Sequence, residues 1–181
     1  MPYPAQTDAE QIRNAALALL TTAGEDGVTV RGVAKHLGLS PNTLYRYYRD
    51  HDALLAELAS MGASQLLQKL KAAAKTKSGQ ESIYAVADAY LDFALAHGAL
   101  YRLLMRKHLF TPQQAQVFGA LWVFVRSEVE VVSPKAEEVA VSLWGFLHGM
   151  VGLEQADIFH EGKPKVGVRP GVEALLLGFD N

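Results

Sequence analysis

The segment Val28-Thr29-Val30-Arg31-Gly32-Val33-Ala34-Lys35-His36-Leu37-Gly38-Leu39-Ser40-Pro41-Asn42-Thr43-Leu44-Tyr45-Arg46-Tyr47-Tyr48 reads as two short helices joined by a tight turn. Thr29 stands where a helix N-cap belongs, and Gly38 stops that helix. Ser40 is placed to cap the second helix. Pro41 follows at the first helical position, where its missing N–H costs nothing. Two short helices meeting at a glycine turn form the helix-turn-helix pattern. Val33, Ala34 and Leu37 fall on one side of the first helix, and Leu39 and Leu44 lock the second against it. Pro41, Asn42, Thr43, Tyr45, Arg46 and Tyr47 are left on the exposed end and side. Their chemistry suits a DNA groove. Hydroxyls reach phosphate, Asn pairs with adenine, and Arg pairs with guanine or phosphate. Taken by periodicity alone, the segment also suits an ordinary helix pair in a bundle.

Outward from this segment the chain reads as helical, because apolar spacings of three and four dominate. Thr7-Asp8-Ala9-Glu10 has the form of a capping box, followed by one face of Ile12, Ala15, Ala16, Leu19 and Leu20. Gly24-Glu25-Asp26-Gly27 is expected to end that helix. Asp50 is expected to cap a long helix reaching about Lys75. Ser78-Gly79-Gln80-Glu81 reads as a second capping box, for a helix to about Ala96. A short helix is expected over Ala99 to Lys107, one opening at Thr111-Pro112 and running to about Val132, and one from Ser133-Pro134 to about Phe159. Glu161 to Lys165 reads as a loop, and Pro170 as the start of a last helix. The expected fold is all-α, with nine helices. It divides into a DNA-binding part over residues 1–50 and a second part over 51–181.

Composition narrows the function. The chain has 181 residues, 50% hydrophobic and 20% charged, which suits a folded domain and not a disordered one. It has no cysteine, which removes thiol nucleophiles, disulfides and cysteine metal sites. The apolar run Ala115 to Val125 is shorter than the roughly 18 residues a membrane span needs. With no leader-like N-terminus, a cytoplasmic protein with no membrane partner is expected. The net charge is −2, but its distribution is uneven. Residues 51–77 carry four lysines against Asp52 and Glu57, whereas residues 78–181 carry eight basic and twelve acidic groups.

With Ala15-Ala16-Leu17 and Gly24 before it and Leu54-Leu55 after it, the segment from Val28 to Tyr48 resembles the DNA-binding signature of the TetR family of transcriptional repressors. The resemblance covers residues 9 to 58 in detail; the later helices match in number and length. It implies that Pro41 to Tyr47 enters the major groove. Asn42, Thr43 and Arg46 are then the base readers, Ser40 and Pro41 also belong to the DNA-binding set, and Thr29, Arg31, Tyr45 and Tyr47 lie at the backbone. Two departures stand out. An acidic residue is common in the family where Gly32 stands. A lysine that grips phosphate is common where His51 stands. By its reference pKa a histidine is mostly neutral at pH 7, and Arg49 is the neighbouring cation able to replace the lysine.

The resemblance assigns the second part to effector binding and homodimerisation. Leu143 to Glu154 resembles the Trp-x-x-x-His-Gly pattern of one group of these domains, with Trp144 and His148 one turn apart. An interface is expected from Trp144, His148, Val151, Val172, Leu175, Leu176 and Phe179. Gly145, Gly149 and Gly152 each weaken a helix by about 1 kcal/mol relative to Ala. Close helix approach, between copies or within one chain, would offset that cost. A small apolar or aromatic effector is expected among Leu66, Leu70, Tyr90, Tyr101, Met105, Phe118, Trp122, Phe146 and His148, although aromatics at helical spacing also form plain core.

His97, His108, His148, Glu154 and His160 match no metal-ligand spacing, so neither metal nor cofactor is expected. No GxSxG, HExxH or phosphate-loop motif marks an enzyme. The expected partners are double-stranded operator DNA, a small effector and a second copy of the chain. A helical DNA-binding protein without a ligand switch is the alternative, with a helical-bundle enzyme behind it.

Overall fold

A computed structural model describes residues 8–106, 112–158 and 163–179. The readings that fall on Thr7, Lys107, His108, Thr111 and residues 159–162 lie outside these. Among the described residues there are nine α-helices and no strand: α1 Ala9–Gly27, α2 Val30–His36, α3 Pro41–Tyr45, α4 His51–Ala74, α5 Gln80–Ala96, α6 Gly98–Leu104, α7 Pro112–Glu130, α8 Ala136–Gln155 and α9 Lys163–Phe179. None is long and apolar enough to cross a membrane.

The chain groups into two compact units, one of residues 1–62 with 99–114 and the other of 63–98 with 115–181. The first of these segments ends inside α4, whose first turns bury Leu54, Leu55 and Leu58.

In the first unit, Ile12, Ala16, Leu20, Val33, Ala34, Leu44, Leu54 and Leu58 form a core with almost no exposure. Asp8 caps α1 by accepting from the Gln11 amide at 2.8 Å. Gly24 interrupts α1 with φ 69°, but the helix resumes to Gly27. Leu100 of α6 rests on Gly62 of α4, where a Cβ would lie 2.8 Å from Leu100 Cγ. Arg106 Nη2 reaches Glu25 Oε2 at 2.6 Å.

In the second unit, α5, α8 and α9 pack together. Val139, Ala140, Leu143, Leu147 and Val151 of α8 and Val168, Val172 and Leu176 of α9 are buried there. The ring of Phe146 points at Gly171, and Met150 Cε lies 2.7 Å from where a Gly167 Cβ would be. Lys165 and Arg169 tie α9 to Asp92 and Glu81 of α5 at 2.7 and 2.6 Å. The Arg169 guanidinium also stacks over Tyr84, 4.4 Å from the ring centroid.

Three helix starts differ from the sequence reading. α5 begins after Gly79, whose φ of 58° sets the chain direction, and Ser78 makes no capping box. Ser133 serves the turn before α8 by accepting from the Lys135 amide. α9 begins at Lys163, so Pro170 is interior rather than initial. A proline there removes one bond to the carbonyl four residues earlier. That residue, Val166, is 78% exposed, so water can serve its carbonyl. α8 ends at Gln155, short of the expected Phe159. Asp157 adopts φ 50°, and Asp157 and Ile158 donate back to the carbonyls of Glu154 and Leu153, closing the helix end.

Candidate nucleic-acid interface

The turn between α2 and α3 is built by hydrogen bonds that need Gly38. Its φ is 67°, a region side chains avoid. Gly38 donates to the Lys35 carbonyl and Leu39 to the Ala34 carbonyl, at 3.2 and 2.9 Å. This pair closes α2 and reverses the chain. Leu44, with no exposure, then seats α3 on the core. α3 is five residues long, and Arg46 caps it in a helical conformation. Tyr47 and Tyr48 still donate to the Leu44 carbonyl, so the turn carries on past the helix end.

One face of this arrangement is chemical. Ser40, Pro41, Asn42, Tyr45, Arg46 and Tyr47 are exposed and Thr43 is half-buried. Ser40 makes no cap bond to the backbone. Its hydroxyl bonds that of Thr43 instead, at 3.0 Å. Tyr48, by contrast, points into the core. Burial, with Glu57 nearby, pushes its phenol up to about 12, so it stays protonated.

Beside α3 lies an open cleft of about 390 Å³, lined by Thr29, Val30, Arg31, Tyr45, Arg49, Asp50 and His51. It gathers the start of α2, the end of α3 and the start of α4. Thr29 caps α2 by accepting from the Gly32 amide at 2.8 Å. Asp50 caps α4 by accepting from the Ala53 amide at 2.8 Å. Its other oxygen accepts from Arg49 Nε, also at 2.8 Å. The Ala53 amide, and after it Arg49, hold the Asp50 carboxyl below its ordinary range. Arg49 is thus shared with Asp50 rather than wholly available as a substitute lysine.

Of the eleven positions singled out for DNA, this cleft brings together five: Thr29, Arg31, Tyr45, Arg49 and His51. Val30 and Asp50 also line it and were not singled out. Their caps and apolar packing made them read as structure.

The second-part residues scatter more. Leu66, Leu70 and Tyr90 are buried in the second unit, and Phe118, Trp122 and Phe146 are half-buried there. The ring of Phe146 is taken up by contact with Gly171 of α9. Trp122 and Trp144 hold their rings 6.1 Å apart. Tyr101 and Met105 group with the first unit. Val151, Val172 and Leu176 are 1%, 0% and 2% exposed, so they face the core of their own chain and not its surface. Leu175 and Phe179 are half-buried, and Trp144 and His148 are exposed. The exposed apolar side chains of these two helices include Val141, Trp144 and Leu177, and the sequence reading missed Val141 and Leu177. Among the described residues no His, Asp and Glu cluster is suited to a metal ion.

A glycine-turned helix pair with groove chemistry on its free face, followed by a larger helical unit, defines the class of helix-turn-helix DNA-binding regulators. Residues 12–58 match the family described as bacterial regulatory proteins, tetR family. Residues 83–175 match the Tetracyclin repressor-like C-terminal domain. The chain belongs to the TetR family.

Among similar proteins, the HTH-type transcriptional regulator YobS of Bacillus subtilis is 26% identical over 98 residues, 54% of this chain and 51% of that one. An HTH-type regulator encoded in the dhlA 5′ region of Xanthobacter autotrophicus is 28% identical over 137 residues, 74% of this chain and 67% of that one. The chain thus spans about half to two thirds of the length of these relatives. A solved structure of a Rhodococcus sp. RHA1 protein matches with a TM-score of 0.86 at 22% identity, covering 99% of this chain and 100% of that one. SCO7222, a TetR from Streptomyces coelicolor, matches at 0.76 and 20%, covering 96% and 97%. These two likenesses establish the fold. The matched families and relatives are transcriptional regulators, not enzymes.

Proposed function

We propose that this chain represses transcription as a homodimer on a palindromic operator and leaves it when a small apolar or aromatic effector binds. The observation that carries the DNA half is the exposed set on and after α3, held by a buried Leu44 and flanked by the cleft of Thr29, Arg31, Arg49 and His51. Asn42, Thr43 and Arg46 are the proposed base readers. The cleft residues and Tyr47 are the proposed backbone contacts. One such helix touches few bases, and a two-fold pair doubles the contact over two half-sites about 34–36 Å apart.

The glycines of α8 support the dimer. Nothing among the described residues comes within 4 Å of a Cβ added at Gly145, Gly149 or Gly152, and the same holds for Gly178 of α9. Packing among the described residues therefore does not account for them. A second copy that lays its own α8 and α9 over Val141, Trp144 and Leu177 does, because small residues let two helices approach closely. Trp144 is 41% and Leu177 55% exposed, an apolar surface that association would cover. The effector half rests on the aromatic content of the second unit and on α4, one continuous helix about 36 Å long that belongs to both units. The effector must favour the non-binding state, since equal affinity for both would move nothing.

A gel shift on the DNA upstream of the chain's own coding region, paired with sedimentation of the free protein, tests this. A dimer that shifts the fragment, and loses both properties in Trp144→Glu with Leu177→Glu, is expected. A monomeric wild type that still selects a single palindromic site would overturn the assembly half.

A further inference from the structure

We propose that protonation of His51 sets the grip of this chain on the DNA backbone, so that operator affinity rises as the pH falls. The inference rests on the DNA-binding reading and gives that site a regulator.

The charges around the cleft nearly cancel. Arg31, from α2, and Arg49, from the turn before α4, bring two guanidiniums. Asp50 is bonded to Arg49 on one oxygen and to the Ala53 amide on the other. Asp52, on the first turn of α4, places Oδ1 3.9 Å from His51 Nδ1. The neighbours from α3 and the α2 cap, Tyr45 and Thr29, are uncharged in the physiological range. Two cations therefore stand against two carboxylates, and the imidazole decides the sign. With His51 neutral the formal charge of the group is zero; with His51 protonated it is +1. The side chain is 45% exposed, so a phosphate can reach it.

The direction of the coupling follows. A phosphate brought into the cleft adds negative charge beside the imidazole and favours the imidazolium. DNA binding then takes up a proton, and by linkage binding tightens as the pH falls, by at most about tenfold per pH unit for each protomer. The charged contact also releases a counterion. The slope of log affinity against log salt should steepen by about 0.9 for each His51 that gains a phosphate.

The experiment uses the full chain and a fluorescein-labelled duplex that it has itself selected from a random pool. Anisotropy titrations run at about pH 6 and about pH 8 over a salt series, for wild type, His51→Lys and His51→Gln. The expected result is wild-type binding that is several-fold tighter, and steeper in salt, at the lower pH. His51→Lys should bind tightly at both values, and His51→Gln weakly at both. If His51→Gln keeps the wild-type pH response, or wild type has none while binding DNA well, this proposal falls and the DNA-binding reading stands. If no protein binds DNA at either pH, the lysine variant included, the DNA-binding reading falls and takes this one with it.

Discussion

Gly171→Ala places a single methyl group where two opposing effects can be weighed. Alanine is favoured over glycine inside a helix by about 1 kcal/mol. A Cβ at Gly171, however, would run into the tip of the Phe146 ring, with Cε2 and Cε1 at 2.8 and 2.9 Å. Three ring atoms are involved, and a ring cannot fold away as the end of a flexible chain would. Overpacking of this kind costs about 1–3 kcal/mol. The net expectation is a loss of about 0–2 kcal/mol, or a few degrees in the melting temperature of a chain this size. Phe146→Ala removes the obstacle at its own cost. In that background the same Gly171→Ala change should stabilise by about 1 kcal/mol. The coupling between the two sites should therefore be about 1–3 kcal/mol, well above the scatter between independent positions. Urea denaturation of the four proteins, at one fixed protein concentration because association shifts apparent stability, measures it. A Gly171→Ala gain of equal size in both backgrounds would refute the packing of α8 on α9 described above.

Thr29→Ala removes the acceptor for the Gly32 amide and should cost about 1 kcal/mol in urea titrations. Thr29→Ser should recover most of it. Asp50 has a lowered carboxyl pKa in the folded chain, so its stabilising contribution is full above the ordinary Asp range and is lost as the pH falls through the lowered value. Asp50→Asn keeps an oxygen for the Ala53 amide, so its stability should fall less on acidification than wild type does, as read by thermal melts over an acid pH series. The Tyr48 phenol, at about 12, should ionise late in an ultraviolet titration, and Tyr48→Phe should lower the absorbance gained at that end by one tyrosine's share.

The helix-turn-helix was readable because local chemistry builds it. Gly38 permits a left-handed turn, Pro41 starts a helix, and Leu44 points inward; each of these follows from the residue itself. The free face of α3 could be read for the same reason, as what remains once the apolar positions are spent. The cleft beside it was only half legible. Thr29, Arg31, Arg49 and His51 stood out by type, but the bond from Arg49 to Asp50 and the cancellation of charge around His51 depend on how three elements meet. The second unit was harder still. Pro170 read as a helix start, because nothing local says that Val166, whose carbonyl it orphans, is exposed. The glycines of α8 and α9 look alike in sequence. Only the packed structure separates Gly167 and Gly171, which receive Met150 and Phe146, from Gly145, Gly149 and Gly152, whose Cβ positions no neighbouring element among the described residues approaches. Val151, Val172 and Leu176 read as surface stripes because periodicity marks an apolar face without saying what covers it.

The central claim is that the residues on and just after α3 read DNA sequence. Selection of duplexes from a random pool by the full chain, followed by sequencing, tests it for wild type and Arg46→Ala side by side. The account predicts that wild type enriches a palindrome with half-sites one helical turn apart. Arg46→Ala should relax the preference at one position in each half-site, at a cost of about 1–3 kcal/mol there. Enrichment of the same motif with the same strength by both proteins would show that Arg46 is not a reader, and no enrichment by wild type would contradict the claim outright.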